Sequence, residues 1–309
     1  MTLDVIIPVF NPKAGFNAVL DAVSKQTLAP DTIILMWTIP HKSSKEAEQK
    51  KAEHFLSDNI KIVYVKQKDF DHGGTRRLGM TYSKADYVVC MTQDALLENE
   101  DVFEHIYKAF ADENVAASYA RQLPYDDCSE VERLVRSFNY PDSVRIQNKD
   151  TFGKYGIKTY FLSDVCAMYR KSIYEETGGF VKKTIFNEDM LMAAALTDRG
   201  YTVMYVPDAR VIHSHNYSCM EQFRRNFDLA VSHKQYEEVF SRVSSESEGI
   251  RMVKKVAKIL CRKHKAYLIP EFIIQSGFKF MGYRVGKIYN RLPKAVIRQC
   301  TMNKGYWNE

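Results

Sequence analysis

The sequence predicts an α/β fold with a mostly parallel central sheet, flanked by helices and followed by a basic helical extension. In the first half, short apolar runs rich in β-branched residues alternate with amphipathic stretches at helical spacing. The 309 residues are 45% hydrophobic, which is enough to fill a large core. From residue 251 onward, 14 Lys and Arg residues stand against two acids, whereas the whole chain has a net charge of only +6.

The first half of the chain is expected to consist of strand-and-helix units. The predicted elements, in order, are strand 4–10, helix 15–26, strand 32–37, helix 43–56, strand 61–66, helix 75–83 and strand 87–91. Because parallel strands end at the same edge of a sheet, we expect a ligand at the loops that follow these strands. The second half is less regular, with a predicted loop region 123–159, strand 160–169, helix from 187, strand 202–206 ending at Pro207, and long helix after His215.

Several classes of protein are disfavoured by the composition. The six cysteines stand far apart without a C-x-x-C pair, which argues against zinc knuckles and a secreted disulfide framework and favours a reducing cytoplasm. Residues 1–10 are expected to form a buried strand rather than a signal peptide, and no run of 18 apolar residues is present to span a membrane. A basic charge without a recognised binding module predicts no nucleic-acid partner.

The first candidate site is Asp94, in the segment M-T-Q-D-A directly after the strand over 87–91. A carboxylate at the ligand edge of the sheet can hold a divalent cation against a diphosphate, and hard oxygen ligands suit Mg²⁺ or Mn²⁺. A turn or helix-capping aspartate is the simpler interpretation, because aspartates are common after strands.

A second candidate site is the segment F-D-H-G-G-T-R-R over 70–77, between a strand and a helix. Gly73 and Gly74 allow the backbone to approach a ligand, and Arg76 lies where a phosphate would meet the positive end of the helix dipole. Asp71 is a candidate contact to a base or a sugar. An ordinary turn with a capping aspartate and exposed arginines is the alternative.

Two further segments carry acids and histidines. In F-N-E-D-M, Glu188 and Asp189 begin an apolar helix, and we favour Asp189 as a general base, although acids at a helix start are common without a catalytic role. In V-I-H-S-H-N, His213 and His215 fall on the same side of an extended segment. They could ligate a metal or contact a diphosphate, or form a packed histidine pair.

Taken together, these segments resemble glycosyltransferase family 2, whose members have the GT-A fold with a Rossmann-like sheet. The resemblance covers roughly residues 3–240. It rests on the order of V-I-I-P-V-F-N at 5–11, T-R-R-L-G at 75–79, T-Q-D at 92–94, G-G-F at 178–180, E-D at 188–189 and His213.

The resemblance implies an inverting transfer from a nucleotide-sugar donor to a hydroxyl of an acceptor. Asp94 and His213 would hold the Mg²⁺ or Mn²⁺ ion, Asp189 would deprotonate the acceptor, and Glu188 and His215 would contact the acceptor or the phosphates. The residues expected to contact the donor are Pro8, Val9, Phe10, Asn11, Trp37, Asp71, Gly74, Arg76 and Gln93.

The implied domain organisation is a GT-A domain over 1–249 and a basic amphipathic tail over 250–309. Residues 1–95 would form the half of the domain that binds the nucleotide sugar, and residues 96–249 the half that binds the acceptor.

Two departures from the family pattern indicate a particular group of enzymes within the family. The family's D-x-D is T-Q-D here, so the first carboxylate is replaced by Thr92, and W-T-I-P at 37–40 stands where many relatives have D-D-G-S. The chain looks like bacterial rhamnosyltransferases that use dTDP-L-rhamnose to build cell-surface polysaccharide, with a lipid-linked glycan as acceptor. Trp37 would line the donor pocket or, alternatively, pack as a buried aromatic at a strand end.

The tail suggests where the enzyme works. At helical spacing, Met252, Val253, Val256, Ile259 and Leu260 oppose a row of lysines, a pattern typical of helices that lie on anionic membranes. We therefore expect a cytoplasmic protein that is peripheral on the inner face of the bacterial membrane. The alternative is a helix pair that packs on the domain or on a second subunit of a homo-oligomer.

Other functions remain open at this point. An enzyme of the same fold could use another donor, such as a UDP-hexose. The replacement of a carboxylate by Thr92 also allows an inactive nucleotide-sugar-binding partner in a membrane-bound assembly complex. A nucleotidyltransferase is disfavoured, because the N-P-K-A-G segment after residue 10 is too short for a glycine-rich basic phosphate loop.

Overall fold

The strands of the first half of the chain are arranged as the sequence predicts, in parallel pairs. The structure, a computed structural model, describes residues 1–242 and 245–307, with side chains described over 1–242 and 247–307. The strands are β1 (Leu3–Val9), β2 (Thr32–Ile39), β3 (Ile60–Lys66), β4 (Tyr87–Met91), β5 (Leu96–Leu97), β6 (Val115–Leu123), β7 (Arg145–Gln147), β8 (Cys166–Arg170) and β9 (Thr202–Ile212).

These strands form one sheet in the order β3-β2-β1-β4-β8-β6-β9-β5, with β7 beside β9. The pairs among β1 to β4 are parallel, and so is the pair of β6 with β9. β8 runs antiparallel to β4 and β6, and β5 and β7 run antiparallel to β9. The predicted α/β sheet is confirmed, and it is parallel in its first half and mixed in its second.

The helices cover much of the rest of the described chain. They are α1 (Phe16–Ser24), α2 (Lys45–Glu53), α3 (His72–Tyr82), α4 (Val102–Lys108), α5 (Glu130–Asn139), α6 (Phe152–Tyr155), α7 (Lys171–Glu176), α8 (Glu188–Asp198), α9 (Cys219–Gln235), α10 (Glu237–Phe240), α11 (Ser245–Arg262), α12 (Ile269–Gly286) and α13 (Lys294–Cys300). Short 3₁₀ turns connect several of them.

Two compact units divide the chain differently from the predicted boundary at residue 249. The first unit comprises residues 1–123, 141–184 and 188–213 and contains the whole sheet. The second comprises residues 124–140, 185–187 and 214 onward. Residues 250–307 are therefore joined in one unit with helices α5 and α9 instead of standing alone as a tail.

The core of the first unit is built from the apolar strand runs. Val5, Ile7, Ile33, Leu35 and Val89 are all fully buried. Continuous runs of β-branched and leucine side chains are expected where helices cover both faces of a parallel sheet. Both faces of β1, β2 and β4 are therefore buried.

Three boundaries in the second half of the chain differ from the predicted ones. The region 123–159, predicted as loops, contains the amphipathic helix α5, whose N-cap Ser129 accepts a hydrogen bond from the N–H of Glu132. β8 begins at Cys166, later than predicted. β9 continues through Pro207, because the pairing with β6 shifts register between Val206 and Arg210 and leaves the proline outside the ladder.

The second unit buries the apolar face of α11. Val256 and Leu260 are fully buried and share a cluster with Leu134 and Val135 of α5 and with Phe272 of α12. Other apolar residues of α11 that pack against this cluster are Met252, Val253 and Ile259. The apolar face of α11 therefore packs on protein, and its lysines are exposed. This was the alternative to a helix whose apolar face lies on a membrane.

Across the residues that the structure describes, no helix is long and apolar enough to cross a membrane.

Candidate functional site

The loops that follow β1 and β4 are joined by the side chain of Gln93. The backbone N–H of Phe10 donates to Gln93 Oε1 at 2.8 Å, and Gln93 Nε2 donates to the carbonyl oxygen of Phe10 at 3.0 Å. Asn11 then turns the chain with a φ of 43°. Gln93 thus holds the segment Pro8 to Asn11 at the carboxyl edge of the sheet. Its predicted contact to a donor stays a prediction, since its amide is engaged with this backbone.

Asp94 and His213 lie together at the same edge of the sheet. His213 Nε2 is 3.5 Å from Asp94 Oδ1, and the Asp94 side chain is 46% exposed. The other ring nitrogen, Nδ1, is 3.2 Å from Oε1 of Gln122. Because that amide oxygen can only accept, the contact requires Nδ1 to carry a proton, and Nε2 is the ring nitrogen that faces Asp94.

The arrangement of Asp94 and His213 fits a divalent cation. A carboxylate oxygen and an imidazole nitrogen are brought to the same place, and the histidine is oriented by a hydrogen bond from its second nitrogen, as metal-bound histidines usually are. The exposed side of Asp94 leaves room for oxygen ligands from a diphosphate. His215 belongs to the second compact unit.

Arg76 is buried in the first unit, between two carboxylates. Its Nη1 lies 2.6 Å from Oε1 of Glu188, and its Nε lies 3.3 Å from Oδ2 of Asp164. The three residues are no more than 6% exposed. The guanidinium of Arg76 is therefore enclosed with its counter-ions. It has no exposed surface at which a donor phosphate could make the contact predicted from the sequence.

Asp189 is the more accessible of the two acids that begin α8. Its Oδ1 accepts a hydrogen bond from the N–H of Met190 at 2.7 Å, and its Oδ2 accepts from the N–H of Asp164 at 3.4 Å. Asp189 is partly exposed as a residue, whereas Glu188 is buried against Arg76. Burial raises the pKa of Asp189, and the negative charges of Glu188 and Asp164 raise it further. A carboxylate with a raised pKa is the stronger base.

Asp71 and Gly74 have structural partners in the first unit. Oδ1 of Asp71 accepts hydrogen bonds from the N–H of Gly74 at 2.8 Å and from that of Thr184 at 3.2 Å, and so caps α3. A Cβ at Gly74 would lie 2.8 Å from the carbonyl oxygen of Lys182 and would also overlap the Asp71 carboxylate. The aspartate has the capping role that was the alternative at this position, and its donor contact stays a prediction.

Trp37 lies inside the core of the first unit. Its side chain is 1% exposed, its Nε1–H donates to Oε2 of Glu48 at 2.9 Å, and its ring packs against Phe55. Trp37 is therefore a buried aromatic at a strand end, which was the alternative interpretation of its sequence position. No surface of its indole is open to a donor.

Asp164 and Tyr169, two residues of the buried cluster, were not predicted as site residues from the sequence. Asp164 lies just before β8, and the hydroxyl of Tyr169 donates to its Oδ1 at 2.5 Å. Asp164 is 88 residues from Arg76 along the chain, and Glu188 is 112 residues away. No local pattern marks such partners, because the fold alone brings these loops and helices together.

The second unit contains a polar cavity of about 590 Å³ that includes His215. The rings of His215 and Tyr217 lie 5.0 Å apart with an interplanar angle of 32°. Tyrosines beside carboxylates and amides are suited to a sugar, since the rings cover its apolar faces and the polar groups bind its hydroxyls. The lining residues are Tyr125, Asp126, Asp127, Ser214, His215, Asn216, Tyr217 and Glu221.

The sequence matches a protein-family model described as glycosyl transferase family 2 over residues 4–178. Two relatives are similar over nearly the whole chain. The O-antigen chain rhamnosyltransferase RfbN of Salmonella typhimurium strain LT2 is 37% identical over 312 residues, which cover 100% of this chain and 96% of that protein. The O-antigen chain rhamnosyltransferase WbaN of Salmonella anatum is 36% identical over 98% of this chain and 95% of its own length.

Solved structures with the same fold are much more distant in sequence. The mannosyltransferase PcManGT from Pyrobaculum calidifontis, in complex with GDP-Man and Mn²⁺, has a TM-score of 0.62 at 14% identity, over 94% of this chain and 88% of that one. TarS 1–349 from S. aureus, in complex with UDP-GlcNAc, has a TM-score of 0.53 at 13% identity, over 94% and 92% of the two chains. At these identities the likeness supports a common fold only.

Proposed function

The chain belongs to glycosyl transferase family 2 and is a glycosyltransferase, and from that premise we propose that it is an inverting rhamnosyltransferase of O-antigen synthesis. It transfers L-rhamnose from dTDP-L-rhamnose to a hydroxyl of a lipid-linked polysaccharide precursor. The observation that carries this proposal is the identity of 36% to 37% with two O-antigen chain rhamnosyltransferases along essentially the full chain.

The base of the reaction is Asp189. It takes the proton from the acceptor hydroxyl while the hydroxyl oxygen forms a bond to the anomeric carbon and the bond from that carbon to the diphosphate breaks. The partial exposure of Asp189 and its raised pKa support this role, because a base must reach its substrate and bind the proton firmly. Glu188 is a weaker candidate, since Arg76 neutralises its buried carboxylate.

Asp94 and His213 hold a Mg²⁺ or Mn²⁺ ion, which would neutralise the charge that develops on the departing diphosphate. Their separation of 3.5 Å and the orientation of His213 by Gln122 support this assignment. The segment Pro8 to Asn11, which Gln93 holds in place, binds the nucleotide. Its backbone lies at the carboxyl edge of the parallel strands, where ligands of open α/β sheets bind.

The acceptor is expected to contact the cavity of the second unit. His215, predicted to contact the acceptor or the phosphates, lines this cavity with Tyr125 and Tyr217. Sugar rings stack on such aromatic side chains, and the carboxylates of Asp126 and Asp127 are exposed for hydrogen bonds to hydroxyls.

The enzyme attaches peripherally to the inner face of the membrane through its second unit. One face of α12 is apolar and exposed, with Ile273, Ile274, Phe280 and Met281 each between 46% and 56% exposed. Arg284 is the next exposed residue along this helix, and the chain from residue 251 onward has 14 basic residues against two acids. An apolar helical face among cations fits an anionic lipid surface. A second copy of the chain fits less well, since a two-fold contact would oppose like charges.

The donor and the base are tested together by measuring release of dTDP from dTDP-L-rhamnose, with Mg²⁺ or Mn²⁺ and lipid-linked precursor present. Asp189→Asn is expected to reduce turnover by about 10²- to 10⁴-fold while donor binding is unchanged, because the base acts only on the acceptor proton. Asp198→Asn, at the exposed opposite end of the same helix, is the control and should retain activity.

Other outcomes of this assay would identify the alternatives. Rapid cleavage of UDP-glucose without cleavage of dTDP-L-rhamnose would assign the chain to a different donor. Equal donor binding by wild type and Asp189→Asn, without turnover of any donor, would favour an inactive binding partner. Unchanged turnover in Asp189→Asn would rule out the assignment of the base.

A further inference from the structure

The cluster around Arg76 has an unequal number of charges. One guanidinium lies among three carboxylates, those of Asp164, Glu188 and Asp189. Arg76 and Glu188 form a short ion pair at 2.6 Å, whereas the approach of Arg76 Nε to Asp164 Oδ2 at 3.3 Å lacks the geometry of a hydrogen bond. When all four groups are ionised, the cluster therefore carries a net charge of −2 in a largely water-free part of the protein.

The partners of each carboxylate decide which of them takes up a proton during catalysis. Glu188 is paired with Arg76, and Asp164 accepts a hydrogen bond from the Tyr169 hydroxyl, so both are enclosed and held in position. Asp189 is the partly exposed member, and it is connected to Asp164 through the Asp164 backbone N–H. A proton from solvent or substrate therefore enters the cluster at Asp189.

We propose that Asp164 and Arg76 are positioning residues that set the proton affinity of Asp189. Asp164 increases this affinity by placing a second negative charge beside the base, and Arg76 limits it with the only positive charge in the cluster. The proposal rests on the proposed function of Asp189 as the base, and it adds two residues to which neither the family resemblance nor the comparisons assign this role.

The remaining titratable groups near the cluster do not change charge at working pH. Cys90 on β4 is fully buried, and burial raises the pKa of its thiol well above the ordinary value. Burial also raises the pKa of Tyr169 on β8, and Asp164 raises it further. Both side chains therefore stay neutral. The groups that set the field at Asp189 are then Arg76 on α3, Asp164 in the loop before β8, and Glu188 beside Asp189 on α8.

The proposal predicts opposite effects for the two positioning residues on the pH dependence of kcat. Activity falls at low pH when Asp189 becomes protonated, so the acidic limb reports its proton affinity. Asp164→Asn removes a neighbouring negative charge and should move this limb to lower pH by about one unit, since nearby like charges raise a carboxyl pKa by amounts of this order. Arg76→Gln should move the limb to higher pH.

A double variant separates charge from structure. Asp164→Asn combined with Arg76→Gln removes one charge of each sign and should return the limb toward its wild-type position. A purely structural role would instead make the double variant less active than either single variant without restoring the pH profile. If Arg76→Gln does not fold, Tyr169→Phe provides a second, independent test of the role of Asp164. Loss of the hydroxyl removes a hydrogen bond that stabilises the ionised carboxylate of Asp164. The acidic limb should therefore shift in the same direction as in Asp164→Asn, by a smaller amount.

The control is Glu98→Gln, which removes a carboxylate from the exposed ion pair with Arg210 in the same unit and should leave the limb in place. An unchanged limb in both Asp164→Asn and Tyr169→Phe, in enzyme that still loses its activity with Asp189→Asn, would overturn this proposal and leave the base assignment intact. Retained activity in Asp189→Asn would overturn the proposed function itself.

Discussion

At the residue scale, buried polar groups in this chain are held by partners that are distant in the sequence. Asp228 of α9 is 3% exposed, and its carboxylate accepts hydrogen bonds from Thr301 and Met302, which lie more than 70 residues later. His233 on the same helix is 2% exposed, stacks on Phe240 at 4.0 Å and contacts the hydroxyl of Tyr283. Such groups make stability depend on pH, because the unfolded chain titrates them as exposed side chains.

Replacing His233 by Phe should reduce the sensitivity of the fold to acid. Burial lowers the pKa of His233 from 6.5 to about 3, so at pH 5 the unfolded chain binds a proton that the folded chain does not. This proton uptake favours unfolding by about 2 kcal/mol at pH 5 and by almost nothing at pH 7.5. The measurement is the free energy of unfolding in urea at both pH values.

The difference in stability between wild type and His233→Phe should therefore change by about 2 kcal/mol in favour of the variant as pH falls from 7.5 to 5. Burial raises the pKa of Asp228 to about 6, so its effect on stability has the opposite pH dependence to that of His233. This effect is the same in wild type and in His233→Phe and does not alter the difference between them. His41→Phe, at an exposed position, should behave like the wild type. A constant difference between wild type and His233→Phe would show that the buried histidine is protonated in the folded state.

At the scale of elements, the pairing of α9 with α12 depends on glycines that allow two backbones to come close. A Cβ at Gly282 would overlap the carbonyl oxygen of Phe223 on α9, and one at Gly286 would overlap that of Phe227. Gly277 lies in the same helix, where an added Cβ would meet nothing within 4 Å. The same substitution should therefore have opposite effects at two positions five residues apart.

Gly282→Ala should lower the stability of the second unit by about 1–3 kcal/mol, because the helices must separate to accommodate the methyl group. Gly277→Ala should raise it by about 0.5–1 kcal/mol, because alanine favours the helical conformation over glycine. Thermal unfolding followed by circular dichroism measures both variants. Equal changes in the two variants would mean that α9 and α12 do not pack as closely as described.

At the scale of the whole molecule, charge is unevenly distributed along the chain. The 250 residues before Arg251 carry more acids than bases, whereas the remainder has a net charge of +12. The basic residues accompany the apolar outer face of α12 in the second unit, while the sheet and the proposed base lie in the first. We therefore assign attachment to the second unit and the chemistry of the base to the first.

The membrane assignment predicts that full-length protein floats with vesicles containing phosphatidylglycerol and not with purely zwitterionic vesicles. Binding should weaken between about 0.1 and 0.5 M salt, because screening reduces the attraction of the basic residues. Ile274→Ser combined with Phe280→Ser should abolish flotation, since both exposed apolar side chains are removed from the face that enters the lipid.

The matched control is Val144→Ser combined with Ile146→Ser, at two similarly exposed apolar positions of the first unit. This variant should float like the wild type. Equal flotation of all three proteins would contradict the assignment of the α12 face. Loss of a dimer in sedimentation experiments, without vesicle binding by any of them, would assign the face to a second copy of the chain.

The sequence by itself determined the order of the elements in the first half, the α/β class and the positions of the acids at strand and helix ends. These follow from local patterns: hydrophobic period, charge at helix starts, and loops after strands. The loop prediction was wrong for α5 although local signals were present, since Ser129 and Glu132 stand at the N-cap and N3 positions and apolar residues recur at helical spacing.

Only the tertiary structure decided what each of these residues contacts. Arg76 and Trp37 were both expected to contact the donor, yet both are enclosed, and Asp164 joins the base although nothing around it marks a site. The physical reason is that a local pattern reports which side chains prefer burial or charge. The partner that satisfies a buried charge is chosen by the packing of segments that meet only in the folded chain.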